Sequence, residues 1–137
     1  MYAFAKRIIS IDKPLYNYVM TTDSLCRRPF EEKKLDNIKA GKFMYYFYQR
    51  YFPELSNFSA LHICSYAAKS YCELNQVDID ISEKENISKS LVDDFNQYYS
   101  LSRGSIARRK SSKLRIVFVE LFKFNRRICS FVYNTFN

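Results

Sequence analysis

Glycine is nearly missing from this chain: Gly41 and Gly104 are the only two in 137 residues. Glycine-rich phosphate cradles need more than that, and no Gly-x-Gly-x-x-Gly, Walker loop or Gly-x-Ser-x-Gly occurs. Proline is limited to Pro14, Pro29 and Pro53. The single histidine, His62, has no second ligand at metal spacing, and Cys26, Cys64, Cys72 and Cys129 form no Cys-x-x-Cys. Spacing therefore speaks against zinc and against a disulfide framework. The cysteines read as small buried hydrophobes in a reducing compartment. No apolar run approaches the roughly 20 residues that span a bilayer. The opening residues, with Lys6 and Arg7 but no apolar core or small-residue cleavage site, do not read as a signal peptide.

What the chain holds in quantity is aromatic carbon, with 12 Tyr and 12 Phe. Many aromatics with few glycines argue for packed helices and against disorder. The length supplies one modest core. Charge is segregated along it. From Arg103 to Arg127 the cations Arg103, Arg108, Arg109, Lys110, Lys113, Arg115, Lys123, Arg126 and Arg127 meet only Glu120, while the rest of the 22 basic and 14 acidic residues balance. The net +8 lies in that one segment.

Periodicity predicts about four helices. Pro29 followed by Glu31 and Glu32 suits a helix start, and the helix runs from about Phe30 to Tyr51. Its Phe43-Met44-Tyr45-Tyr46-Phe47-Tyr48 stretch is apolar nearly all round, which predicts burial on several sides. Pro53 opens a second helix, about 54–75, antiparallel to the first, with Leu61, Cys64, Ala68 and Tyr71 on one face. Residues 76–86 read as a polar connector. Ser82 or Asn86 then caps a third helix, about 87–100, with Ile87, Leu91, Phe95 and Tyr98 facing inward. Beyond a basic linker around Gly104, a last helix over about 113–133 is basic and amphipathic. It places Leu114, Val117, Phe118, Leu121, Phe124, Ile128 and Val132 on one half. Arg115, Lys123, Arg126 and Arg127 occupy the other half, with Ile116 and Val119 intruding.

Ahead of the helices the pattern changes. Ile8-Ile9-Ser10-Ile11-Asp12-Lys13-Pro14-Leu15-Tyr16-Asn17-Tyr18-Val19 reads as a strand, a proline corner and a second extended run. Two strands alone are marginal in water, so they call for more sheet than this chain offers. The run from Ala5 to Tyr18, with Ser24 a few residues on, resembles a segment of the bacterial family 2 glycosyltransferases. Those enzymes build capsular and extracellular polysaccharides from nucleotide-sugars on a GT-A fold. Val19 stands where many relatives carry Arg.

The resemblance implies that residues 1–28 are the end of a GT-A catalytic domain, 29–102 a helical C-terminal extension, and 103–137 a basic linker and amphipathic helix. The expected fold is mainly α, with a short strand remnant at about 8–19. The expected function is that of a C-terminal fragment of a glycosyltransferase, inactive in sugar transfer alone because the nucleotide-sugar-binding half lies outside it. Its implied partner is that N-terminal half or a full-length homologue. Mg²⁺ or Mn²⁺ is expected only in the complete enzyme, and no catalytic residue is assigned here. The resemblance also places Tyr16, Tyr18 and Ser24 on the acceptor side of a complete site. The plainer reading packs the tyrosines of a strand on helices and makes Thr22-Asp23-Ser24 a turn.

Asp78-Ile79-Asp80 matches the Asp-x-Asp by which GT-A enzymes hold a divalent cation, and carboxylates suit such an ion. It stands downstream of the strand region rather than upstream, so it reads as a solvated connector with Val77, Ile79 and Ile81 docking inward. For the basic segment, two readings stand level. Arg108, Arg109, Lys110, Lys113, Arg115, Lys123, Arg126 and Arg127 either face an anionic membrane surface, or are solvated above an apolar half packed on the other helices. Nucleic acid ranks well behind, because the phenylalanines lie on the apolar half and not among the cations. The expected location is cytoplasmic, peripheral at the inner face of the cell membrane. The competing function is a small non-enzymatic helical module for a membrane surface or a protein partner.

Overall fold

Small side chains dominate the stretch Ser-Asn-Phe-Ser-Ala-Leu-His-Ile-Cys-Ser-Tyr-Ala-Ala-Lys-Ser, and they let other helices come close on every side. The helix they form, α2 (Ser56–Leu74), is the axis of the fold. A computed structural model describes Arg7, Ile9 and residues 30–136. Around α2 stand α1 (Asp36–Tyr51), α3 (Ile81–Ser102), α4 (Ser105–Lys110), α5 (Lys113–Phe124) and α6 (Arg126–Phe136). All five touch α2, and the α2–α3 and α1–α2 pairings are the most extensive. The protein is therefore mainly α, and no strand occurs among the described residues. The expected strand at about 8–19, with Tyr16, Tyr18 and Ser24, lies outside those residues, apart from exposed Ile9.

Ala60, Ile63, Cys64, Ala67, Ala68, Cys72 and Leu74 of α2 are fully covered. A helix apolar round its whole girth belongs in the middle of a core. Gly41 marks where α1 meets it: a Cβ there would stand 2.8 Å from Ile63 Cγ1. Ser65 in α2 donates to the Leu61 carbonyl at 2.7 Å, so its hydroxyl is satisfied inside the core.

The inner stripe of α3 is as the periodicity predicts. Leu91, Phe95 and Tyr98 are buried and Ile87 packs against the same core. Full burial of a side chain such as Phe95 contributes about 1.5–3 kcal/mol. The start of α3 differs from expectation. Asp80 is the cap, its Oδ2 accepting from the N–H groups of Ser82 at 3.0 Å and Glu83 at 3.3 Å. The helix thus begins at Ile81, six residues before the expected Ile87, and Ile81 is 75% exposed instead of docked.

Three further expectations fail. Of the aromatic run 43–48 only Tyr45 is buried, edge-on to Tyr98 with ring centroids 5.2 Å apart. Phe43 is 74% and Tyr46 58% exposed, because α1 presents one stripe (Ile38, Gly41, Tyr45) to its neighbours. The last helix is broken in two. At Asn125 the backbone turns extended (φ −153°, ψ 107°), ending α5. The Asn125 side-chain oxygen accepts from the N–H groups of Arg127 at 3.0 Å and Ile128 at 3.1 Å, starting α6. The expected linker around Gly104 also contains the short helix α4.

Candidate functional site

Within the twelve residues of α5, only Lys113, Arg115, Glu120 and Lys123 interrupt an otherwise apolar sequence. Such a helix has two apolar faces and can bury only one of them. Polar anchors decide which. Glu120 accepts from the Tyr99 hydroxyl at 2.6 Å and pairs with the Arg108 guanidinium. Lys123 donates to Asn96 Oδ1 at 3.1 Å and lies over the Tyr99 ring. With these ties to α3 and α4, Val119 and Phe122 enter the core, Phe122 against Phe95 at 4.7 Å between centroids.

The expected inner half is thereby turned outward by roughly a third of a turn. Val119, read as an intruder on the charged side, is buried. Leu114 is 81%, Val117 61% and Phe124 84% exposed, while Phe118 and Leu121 keep partial contact with the core. On α6, Cys129 and Ser130 are buried, whereas Phe131 is 73% and Ile128 45% exposed. An exposed cation precedes each of three apolar residues: Lys113 before Leu114, Lys123 before Phe124, and Arg127 before Ile128. Together α5 and α6 present an apolar stripe edged with positive charge.

Of the other expected surface cations, Arg109, Arg115 and Arg126 are exposed and Lys110 ends α4. Arg108 is half-buried and committed to Glu120, so it faces inward and not toward a partner. Burial by itself raises the Glu120 carboxyl, but the Tyr99 hydroxyl and the Arg108 charge outweigh it and hold the group below its ordinary range.

Beside α5 and α6 lies a second polar group that sequence reasoning did not identify. Glu73 of α2 pairs with Lys34 at 2.9 Å, both side chains about nine-tenths covered. The same carboxylate takes the Tyr133 hydroxyl at 3.1 Å and Lys69 at 3.6 Å. Nothing in the spacing of residues 34, 69, 73 and 133 announces this junction beyond the i, i+4 step from Lys69 to Glu73. His62 stacks near Tyr66 with centroids 4.4 Å apart. Its pKa is lowered, first by burial and then by the charge of Arg115.

The described cysteines Cys64, Cys72 and Cys129 are buried free thiols, as small hydrophobes would be. Burial pushes Cys64 up to about 12, far from a reactive thiolate. In the Asp-x-Asp at 78–80, Oδ2 of the Asp80 carboxylate is engaged in capping α3. No group of three His, Cys, Asp or Glu able to hold a metal occurs among the described residues. No described helix is long and apolar enough to cross a membrane. Comparison with family models, curated proteins and solved structures finds no match to this chain.

Proposed function

We propose that this chain is the helical C-terminal portion of a bacterial family 2 glycosyltransferase, and that α5 and α6 rest it on an anionic membrane surface. In that role it holds the sugar-transferring half of the enzyme beside a lipid-linked glycan acceptor. The Ala5–Tyr18 resemblance supports the enzymatic part. The observation that carries the membrane part is the outward apolar stripe Leu114, Val117, Phe124, Ile128 and Phe131 with exposed cations beside it. Water covers that stripe poorly, a headgroup boundary covers it well, and each nearby Lys or Arg adds on the order of 1 kcal/mol on an anionic leaflet.

Co-sedimentation with phosphatidylglycerol vesicles tests the membrane part. Binding should weaken with salt and fall about fivefold for each of Arg126→Gln and Arg127→Gln. Binding indifferent to anionic lipid would overturn it. An upstream reading frame encoding strands that end in an Asp-x-Asp would support the enzymatic part; a stop codon just before Met1 would favour the self-standing membrane-surface module. The closed core of residues 30–136 favours that second reading to the extent that these helices cover their own apolar centre.

A further inference from the structure

Between α2, α5 and α6 a cleft of about 350 Å³ opens at the surface, lined by Tyr66, Lys69, Leu114, Arg115 and Phe118 among others. Its charge is out of balance. Lys69 and Arg115 both line it and no carboxylate does; the carboxylate beside Lys69, Glu73, takes its short 2.9 Å bond from the buried Lys34. Lys69 reaches Glu73 only at 3.6 Å and is 41% exposed. Arg115 has no carboxylate within ion-pair distance among the described residues. Burial, and after it the charge of Arg115, lower the pKa of His62.

The walls complement the charges. Leu114, 81% exposed, sits on the lip next to Arg115, and Phe118 continues the apolar surface inward. A free anion would use the two cations and leave Leu114 in water. A phosphate carrying an acyl chain would use both. An Arg fork and a Lys point charge together suit a phosphate that is close to doubly charged.

We propose that this cleft seats the phosphomonoester headgroup of an anionic lipid, with Arg115 and Lys69 on the phosphate and Leu114 and Phe118 along the chain below it. The proposal rests on the membrane-surface reading and adds a preferred headgroup to it. Arg115 and Lys69 are exposed enough that neutral replacements leave the core intact.

The test compares vesicles bearing phosphatidic acid with vesicles bearing phosphatidylglycerol at matched surface potential, using the full chain. Wild type should prefer phosphatidic acid about tenfold, and Arg115→Gln and Lys69→Gln should each erase most of that ratio with unchanged melting temperature. In parallel, inorganic phosphate is titrated into the lipid-free chain while the His62 imidazole signal, unique in this sequence, is followed by NMR. Vesicle binding without headgroup preference would overturn the cleft proposal and leave the membrane reading standing. A His62 shift with inorganic phosphate but no vesicle binding would mean a soluble-anion site and overturn both. Neither binding nor shift would also overturn both.

Discussion

Helices α2 and α5 are both rich in apolar residues, yet one vanishes into the core and the other leaves Leu114 and Phe124 more than 80% exposed. The difference is side-chain size. Alanine, serine and cysteine on α2 let α1, α3, α5 and α6 approach it from several directions, so most of its girth is covered. The leucines, valines and phenylalanines of α5 hold neighbours at a distance, and only the Val119–Phe122 side meets them. Small residues build the centre here, and several large ones are left exposed.

That contrast breaks most sharply at two phenylalanines. Phe95→Ala should cost about 3–5 kcal/mol, since the ring is buried against Phe122 and Tyr99 and its loss leaves a cavity. Phe124→Ala should change stability by less than about 0.5 kcal/mol. The same Phe124→Ala should weaken vesicle binding roughly tenfold, the effect of one large apolar side chain withdrawn from the headgroup boundary. Urea unfolding measures the first pair and co-sedimentation the last. Equal stability losses at the two positions would mean that the α5 stripe is covered after all.

The sequence was legible where polarity left no choice. On α3 Ile87, Leu91, Phe95 and Tyr98 fall at helical spacing among mostly polar neighbours, and all four pack on the core, joined by Tyr99. On α5 apolar residues lie all round, so periodicity could not choose a face; the choice was made by Glu120 and Lys123 through partners far away in sequence. The same ambiguity misled the reading of residues 43–48. Two caps could have been found. Asp80 has Glu83 three residues on, the spacing of a capping box, and Asn125 stands before Arg126-Arg127 as a strong N-cap type. As for the candidate site, the segment that carries the cations was legible, but not which of them are spent internally. Arg108 and Arg115 look alike in sequence, and only the fold pairs one and frees the other.

The Asn125 elbow offers a sharper, smaller test of the division between core and surface. Its side-chain oxygen satisfies two N–H groups at the start of α6, which sets Phe124 and Phe131 on either side of the break. Asn125→Ala should destabilise the chain by about 1 kcal/mol, and Asn125→Asp should be nearly neutral because it keeps the acceptor. If the elbow also shapes the apolar stripe, the alanine variant loses vesicle affinity beyond what its stability change accounts for. Affinity that simply tracks stability would make the elbow a structural joint alone.

Acid should loosen the anchoring of α5 before it reaches the core. The Glu120 carboxyl is held below its ordinary 4.5 by Tyr99 and Arg108, which outweigh the opposing effect of burial. A carboxyl depressed in the folded state contributes stability that is fully present above 4.5 and is lost as the pH falls through the lower folded value. The side chain is 38% exposed, so solvent screens the pair and the contribution is only about 0.5 kcal/mol. Urea midpoints of wild type and Glu120→Gln should therefore differ slightly at neutral pH and converge as the pH drops below 4.5. A gap that persists unchanged into acid would show that Glu120 orients α5 through shape and neutral hydrogen bonding. In that case the outward turn of the apolar stripe would rest on Phe122 and Val119 alone.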